Sequence, residues 1–221
     1  MRRVSILAAL ALLLSGYGWA GDLDRYLSSL GLVDVSRIDT SLSVMLKYAT
    51  PDNIMGKAVY EGISGAWLHP QAALKLLKAQ RLLKERRPDC SLIIYDAARP
   101  MSVQRTMWNT VKGTDKTNYV SNPARGGGLH NYGMAVDVGL VNTSGALLPM
   151  GAPFDYFGEE SHTDNEESLL RSGRITREAF LNRRLLREVM RQAGFRTILY
   201  EWWHFNACTR KEAVSNYLLI E

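Results

Sequence analysis

The tightest constraint on this chain is a helix and a strand that follow one another with almost nothing between them. Pro70–Arg86 reads as a helix: proline suits a first turn, and Ala73, Leu76, Leu77 and Leu83 fall on one face. Pro88 stops it. Residues 91–95, SLIIY, form a short β-rich run that reads as a buried strand, and it delivers Asp96 and Arg99 at its carboxyl end. A one-faced helix beside an unbroken apolar strand points to helices packed on a sheet.

The rest of the chain supplies further elements of both kinds. Residues 22–32 carry Leu23, Leu27 and Leu30 on one side and predict a short helix. Met101–Val111 predicts another, closed by Gly113, and residues 177–193 a second long one, ended by Gly194 as a left-handed cap. Strands are expected at 42–48, where Leu42, Val44, Leu46 and Tyr48 alternate, at 135–140, and at 197–205, TILYEWWHF. Gly145 marks a hairpin turn before Leu147 and Leu148, three glycines at 126–128 turn the chain toward His130, and 158–174 read as polar loop. No repeat or long linker divides the sequence. The expected class is α+β: one domain, with a mostly antiparallel central sheet flanked by helices.

The first twenty residues stand apart. Arg2 and Arg3 form a positive head, residues 4–14 are apolar but for Ser5, and Gly18 and Ala20 are small residues suited to cleavage after Ala20. That is the pattern of a secretory signal peptide. The apolar run is roughly half the ~20 residues a membrane span needs, so no stable membrane insertion is expected after cleavage. The expected product is periplasmic or secreted and comprises residues 21–221, or 221 − 20 = 201 residues. That length buries one good core. The formal charge falls from +5 to +3 as Arg2 and Arg3 leave, and the remaining bases are interspersed with acids. The densest basic stretch, residues 84–87, sits at a helix end where cations are favoured, so a nucleic acid partner is not expected. Cys90 and Cys208 lie in no CxxC pattern, which disfavours thiolate zinc ligation. In an oxidising compartment they read as a disulfide, which would form if the strands leading to Arg99 and holding His204 were antiparallel neighbours.

Two of the four histidines keep unusual company. His130 lies in GLHNYGMAVD, with Asp137 seven residues on, and His204 lies in EWWH, three residues after Glu201. Catalytic zinc takes three protein ligands of the His or carboxylate type and leaves a position for water, while a separate carboxylate moves the proton. Two His, one Asp and one Glu meet that need. By spacing alone the alternatives stay open. Either His could be a satisfied core or surface residue, and Asp137 a turn residue. Glu201 and His204 on a straight strand would face opposite sides, so they converge only where the strand ends, twists or bulges.

Five blocks in order resemble the D-alanyl-D-alanine dipeptidases, zinc peptidases related to the D-Ala-D-Ala carboxypeptidases and to the hedgehog signalling domain. They are KYATPDN (47–53), DAARP (96–100), HNYGMAVD (130–137), LPMGAPFD (148–155) and EWWH (201–204). The resemblance covers nearly all of residues 21–221. It implies one zinc ion per chain, held by His130, Asp137 and His204, with Glu201 as base and a small D,D-dipeptide as substrate. It implies that Arg99 stabilises the tetrahedral transition state, and that Asp155 and Tyr48 hold the substrate's amino end. One position departs from the pattern: close relatives often carry Ser two residues before the first ligand, where this chain has Gly128. A hydroxyl is therefore missing beside the substrate.

The implied activity is hydrolysis of D-Ala-D-Ala in cell-wall turnover. Two rivals are a peptidoglycan carboxypeptidase or endopeptidase acting on longer stem peptides, and a non-catalytic zinc-binding module, which would need neither Glu201 nor Arg99. For Arg99 the structural alternative is an ion pair with Asp96, itself read as a supporting residue. His69 and His162 are expected to be bystanders, and Trp202 and Trp203 to pack the core and the wall of the site.

Overall fold

The computed structural model describes residues 21–221, so the expected signal peptide, residues 1–20, lies outside the described residues. The chain opens with α1 (Asp22–Ser29), β1 (Val33–Asp34), α2 (Val35–Ile38) and β2 (Ser43–Val44). Next come β3 (Trp67–Leu68), α3 (Pro70–Arg86), β4 (Cys90–Asp96) and α4 (Met101–Val111). The second half holds β5 (Ala135–Asn142), α5 (Glu166–Arg171), α6 (Arg177–Gln192), β6 (Arg196–Thr197), β7 (His204–Asn206) and α7 (Arg210–Asn216). β1 and β3 pair as a small antiparallel ribbon, and the other strands form one sheet in the order β2-β4-β5-β7-β6. Among the described residues, no helix is long and apolar enough to cross a membrane.

The class is α+β, but the sheet is mixed, which corrects the expectation of a mostly antiparallel one. β2 runs parallel to β4, because the connection between them contains α3 and brings the chain back in the same direction. The pairings β4–β5, β5–β7 and β6–β7 are antiparallel.

α3 and α6 cover one face of this sheet. Alternation along β5 sends the fully buried Val136, Val138 and Leu140 into a core shared with Leu76, Leu83, Leu186, Val189 and Met190. Truncating one of these, Leu140→Ala, would cost about 2–5 kcal/mol. Asp137 and Gly139 face the opposite side. Gly139 leaves room for Tyr95, whose hydroxyl would lie 2.5 Å from any Cβ placed there. α6 starts on Thr176, whose hydroxyl accepts from Ala179 N at 3.1 Å, and stops at Gly194, which adopts φ +98°.

Three local expectations are corrected. Within 42–48 only Ser43–Val44 is a strand; Lys47–Ala49 is a 3₁₀ turn whose Tyr48 carbonyl accepts from the Val59 and Tyr60 amides instead of a ladder partner. The 197–205 run is broken into β6 and β7, with residues 198–203 out of the sheet. The 158–174 stretch contains α5, whose buried Glu166 pairs with Arg187 at 2.6 Å and Arg183 at 3.7 Å.

The disulfide is also corrected: Cys90 and Cys208 are free. β4 and β7 are not neighbours but flank β5, and therefore run parallel. Cys90 pairs with Asn142 at one end of β5, whereas Cys208 follows Asn206, the partner of Ala135 at the other end. Seven strand residues, roughly 20 Å or more, separate the two ends, far beyond the ~7 Å between Cα atoms that a disulfide can bridge.

Candidate active site

β4, β5 and β7 lie side by side, and their register aligns Asp96, Asp137 and His204 in one row. A register shift between Ile94 and Asp96 re-aims the end of β4. His130 reaches the row from a 3₁₀ turn, Leu129–Tyr132, closed by Gly133 at φ +63° so that the chain can turn into β5. Asn131, fully buried, pins this turn: its amide donates to the Arg99 carbonyl at 2.7 Å and its side-chain oxygen accepts from Gly128 N at 2.8 Å. The Arg99 amide in turn donates to the His130 carbonyl at 3.0 Å.

Three ligand atoms converge. His130 Nε2 lies 3.2 Å from Asp137 Oδ1 and 3.1 Å from His204 Nδ1, and His204 Nδ1 lies 2.9 Å from Asp137 Oδ1. A tetrahedral zinc with bonds of about 2.0–2.1 Å holds its ligand atoms roughly 3.3 Å apart, so the spacing fits such an ion. The outer nitrogens fix the tautomers. His130 Nδ1 donates to the Ala97 carbonyl at 2.7 Å, and His204 Nε2 donates to Asn206 Oδ1 at 2.9 Å. With the protons so assigned, the inner nitrogens present lone pairs to a carboxylate oxygen. Three acceptors facing one another at this distance call for a cation, and the residues could hold a metal ion. Burial works against the charged form of Asp137, but His130 and His204 outweigh it and hold the carboxyl far below its usual range. With no cation between them a proton takes its place: burial pulls the His130 imidazole down, and the facing Asp137 carboxylate more than reverses this.

Glu201 joins the cluster because the strand breaks. From the 198–203 loop its carboxylate reaches 3.8 Å from His204 Nδ1, which a straight strand would not allow. Burial pushes its pKa up to about 8, with Asp137 and Asp155 adding to the rise and His204 opposing it.

Arg99 makes the ion pair with Asp96 and also lines the cavity beside the ligand atoms. Its Nε and Nη2 donate to Asp96 Oδ2 at 3.0 and 2.5 Å, and its Nη1 donates to Gln104 Oε1 at 2.9 Å. Tyr60 completes the support with a 2.6 Å bond to Asp96 Oδ1. Of the five guanidinium N–H groups, one on Nη1 and one on Nη2 are left. Burial disfavours this cation, and Asp96 more than restores it.

Asp155 faces the same cavity. It accepts from the Tyr48 hydroxyl at 2.9 Å and from Ile54 N at 3.3 Å. Its φ of +61° makes it the one non-glycine residue in the left-handed region among those described. Such a conformation persists where the surroundings over-determine it, which marks functional sites. Burial raises its carboxyl to about 7 against the Tyr48 hydrogen bond.

All seven residues singled out in the sequence, Tyr48, Arg99, His130, Asp137, Asp155, Glu201 and His204, line one cavity of about 280 Å³. Trp203 lines it too, while Trp202 donates to the Ala152 carbonyl at 3.1 Å. His69 caps α3 and His162 meets the Tyr119 hydroxyl at 3.3 Å, both off the cavity wall. Sequence reasoning missed Asn206, Gln104 and Ala97. Asn206 carried a signal, since it lies two residues from His204 on one strand and therefore on the same face. Gln104 showed only as a polar residue in a helix, and the Ala97 carbonyl had no signature.

A family described as D-Ala-D-Ala dipeptidase matches residues 28–217 of the chain. The chain is 36% identical over 174 residues to the D-alanyl-D-alanine dipeptidase of Escherichia coli (strain K12), covering 79% of this chain and 83% of that protein. It is 33% identical over 178 residues to the D-alanyl-D-alanine dipeptidase of Enterococcus faecium, covering 72% of this chain and 82% of that protein. The D-alanyl-D-alanine dipeptidase of Streptomyces coelicolor (strain ATCC BAA-471 / A3(2) / M145) is 30% identical over 178 residues, at 72% and 82% coverage. With that match running from α1 to α7 and around a three-residue metal-type donor cluster, the chain belongs to the D-Ala-D-Ala dipeptidase family and is a metallopeptidase.

Proposed function

We propose that this protein is a zinc-dependent dipeptidase that hydrolyses free D-Ala-D-Ala to two molecules of D-alanine, in cell-wall turnover outside the cytoplasm. The observation that carries this reading is one small cavity holding the convergent donors of His130, Asp137 and His204, the Glu201 carboxylate, the Arg99 guanidinium and the Asp155–Tyr48 pair. Family membership supports the dipeptide, and the signal-like residues 1–20 support export.

The chemistry that one zinc ion held by His130, Asp137 and His204 supplies is acidification of a water and polarisation of the scissile carbonyl. Glu201, held beside the three donors, takes the proton from the attacking water and returns it to the departing amine. Arg99 turns its two remaining N–H groups to the carbonyl oxygen as charge develops there, in an orientation fixed beforehand by Asp96 and Gln104. Asp155, held by Tyr48 and Ile54 N, accepts from the substrate's ammonium.

The test is kcat/KM of the purified, metal-loaded protein on D-Ala-D-Ala and on a wall-stem pentapeptide ending in D-Ala-D-Ala. The dipeptide is expected to be the better substrate. Equal or faster cleavage of the pentapeptide would make the protein a carboxypeptidase. For export, the N-terminus of the protein recovered outside the cytoplasm is expected at Gly21, and an intact Met1 would contradict it.

A further inference from the structure

The cavity wall away from Asp155 carries a cation that the proposed chemistry does not use. Arg210, the first residue of α7, lines the cavity together with Ser121, Gly128 and Asn206. Its Nη1 donates to the Gly127 carbonyl and its Nη2 to the Arg125 carbonyl. Both anchors are neutral backbone oxygens, and no acidic side chain among the described residues pairs with it. Two of its five N–H groups are used and three are left.

Ser121 stands beside it. Its carbonyl accepts from Gln104 Nε2 at 2.7 Å, and its hydroxyl takes no partner among the described residues. A Cβ placed on Gly128 would lie 2.8 Å from Ser121 Oγ. The side chain missing at 128 is therefore the room that the Ser121 hydroxyl occupies.

Two shallower depressions open off the cavity. One shares Ile54, Asp155 and Phe157 with it, and the other shares Val120, Ser121 and Arg210. They have no lining residue in common, so the carboxylate and the cation belong to different parts of the site wall.

We propose that Arg210 and Ser121 bind the substrate's C-terminal carboxylate. The inference rests on the dipeptidase reading and deepens it: the dipeptide spans the site with its ammonium on Asp155 and its carboxylate on Arg210, and the peptide bond lies between them at the metal donors. Charge-assisted hydrogen bonds are about twice as strong as neutral ones, and Arg210 has no internal acid to give up before making them. A chain that continued past the scissile bond would offer a neutral amide in their place. Asp155 thus limits the substrate on the amino side of that bond, and Arg210 limits it on the carboxyl side.

The test compares D-Ala-D-Ala with D-Ala-D-alaninamide, in which the carboxylate is neutralised, on the wild type, Arg210→Gln and Ser121→Ala. The wild type should favour the free dipeptide about tenfold or more, the worth of one charge-assisted bond. Arg210→Gln should lose a similar factor on the free dipeptide, mostly in KM, and almost nothing on the amide. Ser121→Ala, which leaves the Arg210 anchors intact, should narrow the preference by a smaller factor in the same direction. Wild-type cleavage of amide and acid at equal rates would overturn the inference while leaving the dipeptidase reading standing. Equal loss on both substrates in Arg210→Gln would also overturn it, by reducing Arg210 to a brace for the 125–127 loop. Cleavage of neither substrate by the wild type would remove the dipeptidase reading and this inference together.

Discussion

Asp155→Asn removes one charge from the cavity and little else. Asparagine keeps the volume, tolerates the φ of +61° that Asp155 holds, and can still accept from Tyr48. The carboxylate accepts two hydrogen bonds, from Tyr48 and Ile54 N, and of its roughly four lone-pair sites about two remain for an ammonium. Losing a hydrogen bond to a charged group costs roughly 1.5–3 kcal/mol, or about 10- to 150-fold in kcat/KM. N-acetylation removes the same interaction from the substrate's side. In the wild type, N-acetyl-D-Ala-D-Ala should therefore be cleaved at least about tenfold more slowly than D-Ala-D-Ala. In Asp155→Asn the two rates should converge, because the acetyl group then removes nothing that is still there. The assay is D-alanine release from both substrates by both proteins. A preference for the free dipeptide that survives unchanged in Asp155→Asn refutes the anchoring role. Stability gives a second readout. Burial raises the Asp155 carboxyl from 3.8 to about 7, so the folded chain holds this proton more tightly than the unfolded one. Its contribution is most favourable below pH ~4 and is lost as pH rises through about 7, a change of at most ~4 kcal/mol, reduced by water in the pocket. Metal-free Asp155→Asn should thus melt above the metal-free wild type near pH 8, and the difference should vanish near pH 4.

Gln104→Ala leaves a buried Arg99 N–H without its acceptor, so denaturant titration should show a loss of about 1–3 kcal/mol, with kcat reduced as Arg99 loosens. Asn206→Ala releases His204 Nε2, and competition with a chelator should show metal affinity falling about 10- to 100-fold. Thiol titration of the denatured, unreduced protein should find two free thiols per chain. In the folded protein both should react slowly, because burial pushes the Cys90 and Cys208 thiols up.

Local punctuation made the helices legible. Pro70 with Pro88, and Met101 with Gly113, bound two helices that the structure reproduces as Pro70–Arg86 and Met101–Val111. Strand existence was readable from β-branched runs, but strand neighbours were not, because pairing is decided by distant segments. The parallel β2–β4 pair and the placement of β5 between Cys90 and Cys208 both arise from connections that leave no mark on the strands themselves. In the site, His130, Asp137, His204 and Glu201 stood out through scarce residue types at meaningful spacing. What brings Glu201 to His204 is the break at 198–203; the spacing of the two residues calls for such a break, but the β-branched and aromatic residues of TILYEWWHF do not mark where it falls. α5 escaped notice because it is six residues long and buries only Glu166 and Leu169, too short a run to show an apolar period. Arg210 meets the 125–127 loop from 83 and 85 residues away, a contact no local pattern encodes.

The division of labour between three ligands and one base is tested most directly by measuring zinc content and D-Ala-D-Ala turnover together in the wild type, Glu201→Gln and His204→Ala. The expected result is one zinc per chain in the wild type and in Glu201→Gln, and little or none in His204→Ala. Turnover in Glu201→Gln should fall by about 100-fold or more, the usual loss when a general base is removed. Near-normal turnover by Glu201→Gln, or a full complement of zinc in His204→Ala, would contradict it.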